Sequence, residues 1–423
     1  MRIAERLLLQ AFIMLSVLPA FAQNGINSPY SRYGVGSLSD QGVGINKAMG
    51  GIGIGLHERN TLNTLNPASF STVDTLTFLF DAGLSLTNGN YKENDVRVNA
   101  RNSSLDYLAM QFRIVRNLGF TASIMPYSNV GYSFSESSVI RDDQDGELIS
   151  TNSYAGEGGL RQISAGLGWA PFKFLSVGAT AGYIYGELTH TISNTYSVAS
   201  VLTRSKTYYS EMKGFKATLG VQASFEVLKG QLAVGAVWSP ATNFKGDGLI
   251  YDQILDGNTS ETTDTLRLYD KFSIPSSVGF GITYSREKWL VGADFSMDAW
   301  SGVTLFGDDS FKGNDRIKVS LGGMFQPEKN NSHLFRRSSY RAGLYLAQPY
   351  YCINDRKGPM EYGASIGISL PVINRWNNKI EFNISGQYAH LKPSEPGMIE
   401  ENYIRLNLGI AFNERWFTKW MVE

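Results

Sequence analysis

The chain is poor in the residues that build disulfides and metal centres. Its 423 residues include a single cysteine, Cys352, and only four histidines. One cysteine excludes a disulfide framework and any site with several cysteine ligands. The histidines are scattered without the spacing that a metal site needs. The sequence therefore predicts no cofactor and no metal site.

The chain also lacks an excess of charge of either sign. Its 38 basic residues balance 38 acidic ones, so no electrostatic field would recruit nucleic acid or an acidic membrane surface. Beyond residue 22, no apolar run approaches the roughly 20 residues that a membrane-spanning helix needs. Nucleic acid is thus excluded as a partner, and a bundle of transmembrane helices is excluded as a fold.

The N-terminus has the features of an export signal. Arg2 and Arg6 precede the apolar run "LLLQAFIMLSVLPA", and Ala20-Phe21-Ala22 is a small-x-small cleavage site. This pattern predicts a cleavable secretory signal peptide over residues 1–22, with Gln23 as the first mature residue. No acylated cysteine can follow the cleavage point, so the exported protein is not a lipoprotein.

Apolar and polar residues alternate through the chain from Thr75 onward. In "NYIRLNLGIAFN", every second residue from Ile404 to Phe412 is apolar, and the residues between them are mostly polar or small. A period of two predicts strands with one apolar face and one polar face. Fourteen such segments follow one another; the eighth begins near Asp264 and the last near Asn402.

The connections between these segments alternate in length. Tight turns such as "LKGQ" and "SREK" are separated by long polar loops such as "SESSVIRDDQDGELISTNS" and "GDGLIYDQILDGNTSETT". An even strand count with short turns on one side is typical of a bacterial outer-membrane barrel. We therefore predict an all-β fold, a transmembrane antiparallel β-barrel of about 14 strands. A soluble all-β protein is the alternative, because alternation in one segment is weak evidence.

The residues before the first strand predict a separate element. Residues 23–74 are rich in Gly and Asn and show no alternation. Fourteen strands enclose a lumen wider than wall side chains can fill. We expect an N-terminal plug, or hatch, inside the lumen, and three parts of the chain: signal peptide 1–22, hatch 23–74 and outer-membrane barrel 75–423. Inward-facing charges such as Asp294, Asp298 and Arg316 are expected to pair across neighbouring strands.

The glycine-rich stretch "KAMGGIGIGLHERNTLNTLNPASF" superficially resembles a nucleotide loop. The dinucleotide fingerprint needs glycine at its sixth position, where this chain has Leu56, and no βαβ unit surrounds it. Glycines would instead let the hatch backbone pass close to the barrel wall, and Asn-Pro initiates a turn into the first strand. The predicted hatch motif comprises Gly50, Gly51, Gly53, Gly55, Asn66, Pro67 and Ala68.

Two blocks of sequence resemble one family. "GINKAMGGIGIGLHERNTLNTLNPASFSTVDTLTF" is similar to the N-terminal hatch of the FadL/TodX-type outer-membrane transporters of long-chain fatty acids and other hydrophobic compounds. "FSIPSSVGFGITYSREKWLVGADFSMDAWS" is similar to that family's Pro-led strand, short turn and Gly-Ala-Asp strand ending in Trp-Ser. The resemblance implies a ligand captured outside, held in the lumen and released sideways through a wall gap where the third strand kinks inward.

The third predicted strand, "LGFTASIMPYSNVGYSF", is suited to such a kink. Pro126 cannot donate to a β-ladder, and Asn129 and Gly131 favour irregular backbone. A Pro-containing bulge without a functional role is the alternative. The lead-in "QNGINSPYSRYGVGSLSD" is longer than the family's usual hatch, and we expect it to form a docking surface on the periplasmic side.

Enzyme motifs fail on geometry. "GASIG" places Ser365 in a nucleophile-elbow pattern, but that motif needs a strand-to-helix turn, and Ser365 lies in the middle of a predicted strand. The alternation of its own strand places the His390 side chain on the opposite face of the wall from Ser365, so it cannot reach Ser365 as a base. In "RDDQDGE", Arg141 occupies the first calcium position. We therefore expect no enzymatic activity and a solvated acidic loop.

The predicted function is passive uptake of a hydrophobic, fatty-acid-like molecule through a plugged outer-membrane barrel with lateral exit at the third strand. The alternative is a non-transporting barrel subunit or shuttle of a larger outer-membrane secretion or assembly complex. Expected partners are a hydrophobic molecule or lipid, the outer-membrane lipids and, for the alternative, other subunits. Predicted ligand contacts are Met49, Phe70 and Tyr127.

Overall fold

The computed structural model describes residues 25–143, 146–198, 201–256, 259–268, 271–303, 305, 311–328, 331–353, 355–373 and 379–415. The predicted signal peptide 1–22, Gln23 and the aromatic C-terminal residues from Trp416 lie outside the described residues. Within these ranges, no helix is both long and apolar enough to cross a membrane.

The described part of the chain contains twenty strands and a few short helical turns. The helical turns are Pro29–Arg32, Gly44–Ala48, Pro67–Thr72, Trp300–Gly302 and Leu334–Arg337. The strands are β1 (Ser37–Leu38), β2 (Thr77–Glu93), β3 (Val96–Val115), β4 (Leu118–Asp143), β5 (Gly146–Phe172), β6 (Leu175–Tyr196), β7 (Thr203–Val227), β8 (Gly230–Ser239), β9 (Thr242–Asp256), β10 (Thr259–Leu268), β11 (Lys271–Ile274), β12 (Ser277–Arg286), β13 (Trp289–Asp298), β14 (Arg316–Phe325), β15 (Ser339–Ala347), β16 (Cys352–Ile353), β17 (Arg356–Lys357), β18 (Met360–Ile373), β19 (Lys379–Lys392) and β20 (Glu400–Arg415).

Fourteen of these strands form a closed antiparallel wall. They are β2 to β8, β12 to β15 and β18 to β20, each paired with its neighbour in chain order. The ring closes between the first and last wall strands, where Gly83 lies opposite Gly409. The predicted all-β fold and fourteen-stranded barrel are therefore confirmed. Short turns at 116–117, 228–229 and 287–288 share one end of the barrel, called here the short-turn end; the opposite end is the long-connection end.

Two stretches predicted as long loops are paired strands instead. β4 and β5 continue as a hairpin to Asp143 and Gly146, and β9 pairs with both β10 and the outer half of β7. The eighth wall strand accordingly begins at Ser277, not near Asp264. Beyond the membrane both faces of a strand are solvated, so the ladder continues without the polar contrast that reveals strands in sequence.

Wall strands carry apolar side chains outward and polar or small ones inward. On β12, Phe280 and Ile282 are 57% and 46% exposed on the outer face, whereas Thr283 is only 4% exposed on the inner face. The inner face is rich in Ser, Asn, Gln and Asp, many of them buried. These inward side chains are buried because residues 25–74, called here the N-terminal segment, pack against them.

The N-terminal segment runs along the inner face from one end of the barrel to the other. Its first residues contact the long-connection end through Tyr350 and Ile399, and its last residues, around Phe70, contact the short-turn end of β4 and β5. The lead-in therefore does not form the periplasmic docking surface that we expected, since it lies inside the opposite end. The boundaries at 22 and 74 stay predictions; the first wall strand begins at Thr77.

Candidate functional site

The ladder between β3 and β4 stops halfway up the wall. Pairing runs from Val115 opposite Leu118 to Leu108 opposite Ile124. Above it, β3 from Val96 to Tyr107 has no β4 partner among the described residues. β4 continues upward with β5, and its register shifts between Pro126 and Ser128. We call this unpaired stretch between β3 and β4 the wall gap.

A short strand of the N-terminal segment covers the β4 side of the wall gap. Ser37 and Leu38, which form β1, lie antiparallel to Asn129 and Ser128. The next residue continues the contact, since the amide of Ser39 donates to the carbonyl of Tyr127 at 3.0 Å. The freed edge of β4 is thus satisfied by the chain's own N-terminal backbone.

Side chains complete the cover on both sides of β1. The Ser31 hydroxyl donates to the carbonyl of Gly131 at 3.1 Å and lies 3.0 Å from its amide, which donates in return. The Gln41 side-chain amide donates to the carbonyl of Pro126 at 2.9 Å. Pro126, Asn129 and Gly131, the predicted kink residues, therefore all contact the N-terminal segment. Their role in a lateral opening stays a prediction.

Aromatic side chains fill the lumen at the long-connection end. Tyr350 donates from its hydroxyl to the carbonyl of Tyr33 at 2.9 Å, and its ring lies 4.5 Å from that of Trp300. The hydroxyl of Tyr30 donates to the carbonyl of Ile399 at 2.7 Å. These contacts hold residues 30–33 as a lid beneath the outer loops.

The buried carboxylate of Glu401 anchors the start of the lid. It accepts hydrogen bonds from the Ser28 hydroxyl at 2.8 Å and from the Tyr403 hydroxyl at 2.6 Å. Deeper in the lumen, Lys47 forms a 2.5 Å ion pair with Asp106 in which both side chains are largely buried. Both contacts join the N-terminal segment to the wall, and removing one partner of the Lys47–Asp106 pair would leave an uncompensated buried charge.

The glycine-rich stretch is held by the wall through its backbone. Asp294 on β13 accepts hydrogen bonds from the amides of Gly53 at 2.6 Å and Ile54 at 2.8 Å. The Thr283 hydroxyl donates to the carbonyl of Gly55 at 2.8 Å, and Ser365 accepts from the amide of Gly50 at 2.9 Å. Thus Ser365 positions the stretch. The expectation that Asp294 pairs with a wall cation is wrong, because backbone amides use its carboxylate.

Close backbone contact explains why glycine is needed here. Gly50 has a positive φ of 68°, and a Cβ on it would lie 2.8 Å from backbone atoms of Leu344. The facing wall residue must also be glycine, because a Cβ on Gly343 would lie 2.1 Å from the carbonyl carbon of Met49. Gly51, Gly53 and Gly55 belong to the same tightly packed stretch.

Gly343→Ala is expected to push the glycine-rich stretch off the wall, because its methyl group collides with backbone that cannot rotate away. We expect faster amide hydrogen exchange in residues 48–56, measured by mass spectrometry on the purified barrel. Gly386→Ala is the matched control, since a Cβ there meets no atom within 4 Å. Equal exchange in the two variants would contradict the contact.

The Asn-Pro-Ala sequence shapes the exit toward the first strand. The Asn66 side chain caps the helical turn Pro67–Thr72 by accepting from the amide of Ala68 at 3.0 Å. It also donates to the carbonyl of Ile54 at 2.8 Å. Gln111 on β3 donates to the carbonyl of Phe70 at 3.1 Å. The motif therefore ties the turn to the glycine-rich stretch and the wall.

A cavity of about 370 Å³ remains between the N-terminal segment and the wall. Its hydroxyl-bearing lining includes Ser39, Ser123, Ser164, Thr180, Thr218, Ser239, Ser296 and Ser320, and its charged lining includes Asp40, Lys216, Asp298, Arg316, Lys318, Glu361 and Arg405. Asp298 and Arg316 lie opposite each other on β13 and β14 and pair at 3.5 Å, as expected. Apolar side chains such as Leu38, Met125 and Val237 share this lining.

Neighbouring positive charges favour the ionised form of Asp40 in the lining of this cavity. Burial opposes ionisation of Asp40, but the ammonium groups of Lys318 and Lys47 and the amide of Gly42 outweigh it, so the pKa of Asp40 lies below its ordinary value. The Asp40 carboxylate accepts from the amide of Gly42 at 3.1 Å and shares the cavity lining with Lys318 and Arg316.

The three predicted ligand contacts lie in different places. Met49 packs with Ile45 and Ile52 in one apolar cluster, Tyr127 belongs to another at the long-connection end, and Phe70 lies against wall glycines near the short-turn end. All three are nearly fully buried. As ligand contacts they stay predictions. Sequence reasoning missed Ser37, Leu38 and Asp294 as contact residues, because no local pattern marks a residue whose partner is distant backbone.

A closed fourteen-stranded barrel with an interrupted β3–β4 ladder and an N-terminal segment on its inner face is the architecture that these contacts define. The chain belongs to the BamG family, whose model matches residues 5–422.

Solved structures of similar fold include hydrocarbon channels and transporters. The monoaromatic hydrocarbon channel CymD is 14% identical and has a TM-score of 0.59, over 91% of this chain and 100% of its own. The toluene transporter TodX of Pseudomonas putida is 14% identical, with a TM-score of 0.55 over 90% and 100%. The toluene transporter TbuX of Ralstonia pickettii is 14% identical, with a TM-score of 0.54 over 89% and 99%.

At this identity the likeness shows the fold alone, and it confirms the resemblance seen in the sequence. No curated protein matches the chain.

Proposed function

We propose that the barrel lies in the outer membrane and carries a hydrophobic, fatty-acid-like molecule by diffusion, with lateral exit through the wall gap. The wall gap is the observation that carries this proposal. The interrupted ladder leaves β3 from Val96 to Tyr107 without a β4 partner among the described residues, while the freed edge of β4 pairs with β1 inside the lumen. Such backbone is tolerated at membrane depth only where protein or a water-filled cavity covers it. The fold shared with hydrocarbon channels supports the same reading.

Passage requires the N-terminal segment to move. β1 and Gln41 cover the β4 edge from inside, so a ligand in the lumen meets them before it reaches the gap. Only a few hydrogen bonds hold β1 in place, which makes residues 37–41 the natural moving part. Release of these residues would join the cavity to the gap.

A disulfide that locks β1 to β4 is expected to abolish uptake. Leu38 lies opposite Ser128 in the antiparallel pair, where Cα atoms are about 4.5–5.5 Å apart, a distance that suits a disulfide. We expect the oxidised Leu38→Cys/Ser128→Cys protein, in a Cys352→Ser background, to pass no fluorescent fatty acid into proteoliposomes, and the reduced protein to pass it.

Each single-cysteine variant serves as the control, because oxidation cannot lock it. Uptake that is equal before and after oxidation of the double variant would show that β1 need not move, and lateral exit behind it would be abandoned. If the unmodified protein takes up neither a fatty acid nor toluene, the proposed transport function is wrong.

A second candidate is a non-transporting subunit of a larger outer-membrane complex. The observation that favours it is the 370 Å³ cavity, whose lining mixes apolar side chains with many hydroxyl and charged groups that a hydrocarbon cannot pair with. The dense hydrogen bonding of the N-terminal segment also suits a permanent seal.

Purification from native membranes in mild detergent separates the two candidates. Mass spectrometry would identify both lipids and proteins that accompany the barrel. A lone barrel with stoichiometric fatty acid supports transport. A barrel that arrives with other outer-membrane subunits and without ligand supports the subunit role.

A further inference from the structure

The outer face of β5, β6 and β7 carries an apolar band with aromatic side chains at both of its edges. Phe172, Phe174 and Phe225 stack at the short-turn end, and Tyr183 and Phe215 pack together at the opposite edge. Between Phe225 and Phe215, β7 turns only alanine, valine and leucine outward. Ten residues at about 3.3 Å each, tilted by about 40°, rise about 25 Å, which is the height of the band that faces lipid in outer-membrane barrels. Phe215 therefore marks the edge of the band that faces the cell exterior.

A row of basic side chains lies directly above this edge, toward the long-connection end. Arg161 on β5, Tyr185 on β6 and Lys213 on β7 lie opposite one another, two residues beyond Phe215. β9 extends the row, because Lys245 lies directly opposite Lys213. The three basic side chains are exposed on the outer face. We call Arg161, Lys213 and Lys245 the basic row.

The basic row is only partly compensated by acids. Like charges directly opposite each other on neighbouring strands, such as Lys213 and Lys245, destabilise a sheet. Lys213 has an exposed ion pair with Glu211 at 3.3 Å, whereas Arg161 and Lys245 form no ion pair with any residue that the structure describes. An anion bound at this row would relieve the repulsion.

The acidic side chains of this face lie further out. Glu187, Glu211 and Asp247 occupy the next row, about 7 Å further along their strands, and Glu157 lies beyond them on β5. The Glu187 carboxylate accepts from the Tyr209 hydroxyl. An acidic partner arriving from solvent would meet these carboxylates first. A membrane lipid approaches sideways, with its phosphate at the edge of the apolar band, and so reaches the basic row without crossing the acidic one.

Hydroxyl side chains continue the same face beyond the acids. Thr191 and Thr207 hydrogen-bond across β6 and β7 at 3.2 Å, and Ser193 and Ser205 do so at 3.1 Å. Carboxylates accept hydrogen bonds from sugar hydroxyls, and serine and threonine can both donate and accept. The face is thus apolar, then basic, then acidic and hydroxyl-bearing. A lipid with acyl chains, a phosphate and sugars matches this order throughout, whereas a phospholipid without sugars matches only its first two layers.

We propose that the basic row binds a phosphorylated glycolipid of the outer leaflet. Its acyl chains lie along the apolar band beside Phe215, and its phosphate accepts charge-assisted hydrogen bonds from Arg161, Lys213 and Lys245. Its sugars meet the acidic and hydroxyl-bearing rows. This inference rests on the proposed outer-membrane location, and it depends on neither transport nor the subunit role.

The test uses the full mature protein in detergent and native mass spectrometry with three lipid probes. These are bis-phosphorylated lipid A, the same lipid A after removal of both phosphates, and phosphatidylglycerol. We expect bis-phosphorylated lipid A to bind at least about tenfold more tightly than either of the others. Arg161→Gln/Lys245→Gln is expected to weaken its binding at least about tenfold, and this variant keeps the ion pair of Lys213 with Glu211.

Lys229→Gln/Lys288→Gln is the matched control, because it removes two exposed cations from turns at the short-turn end. We expect it to bind bis-phosphorylated lipid A as the unmodified protein does. Unchanged binding by Arg161→Gln/Lys245→Gln, or an equal loss in the control, would overturn the proposal. Equal binding of the dephosphorylated lipid would rule out phosphate recognition, and equal binding of phosphatidylglycerol would rule out the glycolipid as the specific occupant.

Membrane fractionation of cells that express the protein keeps the inference apart from the location on which it rests. If the protein is absent from the outer-membrane fraction, the proposed location fails. If it is present there and the purified protein does not prefer bis-phosphorylated lipid A, the inference about the basic row fails and the location stands.

Discussion

Deletion of residues 26–41 is expected to turn the sealed barrel into an ion-conducting pore. The deleted residues include β1, which covers the β4 edge of the wall gap, and the lid around Tyr30 and Tyr33, which packs beneath the outer loops. A fourteen-stranded wall is too wide for its own side chains to fill, so water and ions should enter once the lid is gone. Single-channel conductance in planar bilayers measures the change.

The wall itself should survive this deletion, because its fourteen strands pair with one another and not through the deleted residues. Circular dichroism should therefore still report a β-barrel. A variant in which residues 26–41 are replaced by a Gly/Ser linker of equal length separates lost contacts from a shortened chain. An unchanged conductance in both variants would show that residues 42–74 seal the lumen without help, and would remove β1 from any gating role.

Asp294→Ala is expected to release the glycine-rich stretch while the wall stays folded. Its carboxylate accepts from the amides of Gly53 at 2.6 Å and Ile54 at 2.8 Å. A buried donor left without a partner costs about 1–3 kcal/mol, so the contact weakens by roughly 2–6 kcal/mol if neither amide finds water. Hydrogen exchange of residues 50–56 should rise strongly, and protease should cut the N-terminal segment sooner.

Asp298→Ala is the control for this substitution. It removes the same charge from the lining of the same cavity, but its carboxylate pairs with Arg316 on the neighbouring strand. We expect hydrogen exchange of residues 50–56 to stay as in the unmodified protein. If Asp298→Ala loosens the stretch as much as Asp294→Ala does, the effect comes from lumen charge in general, and the assigned role of Asp294 is wrong.

The wall could be predicted from the sequence because lipid on one side and a polar lumen on the other impose the same alternation on every strand. β12 shows this directly, with Phe280 and Ile282 outward and Thr283 inward. The prediction of long loops failed beyond the part of the wall where one face meets lipid and the other meets the lumen. β9, β10 and the outer halves of β4 and β5 are regular strands, but solvent touches both of their faces, and their sequences resemble loops.

The candidate site could be predicted only in part. Pro126 marks the irregular point on β4 because proline cannot donate to a ladder, and that property is local to one residue. The cover of the gap is not local. Ser37 and Leu38 form a strand only because β4 offers an unpaired edge there, and a two-residue strand has no periodicity to recognise.

The sequence by itself determined the class of fold and the number of wall strands, since the environment on each side of the wall acts on every residue separately. It also determined that the glycine-rich stretch must pass close to other backbone, since a missing Cβ is a property of the residue. Only the tertiary structure decided what that backbone meets. Asp294 accepts from Gly53 and Ile54 across 241 and 240 residues of chain, and β1 pairs with an edge of β4 about ninety residues further along the chain. Such contacts depend on how the barrel closes around the N-terminal segment, and no short stretch of sequence contains both partners.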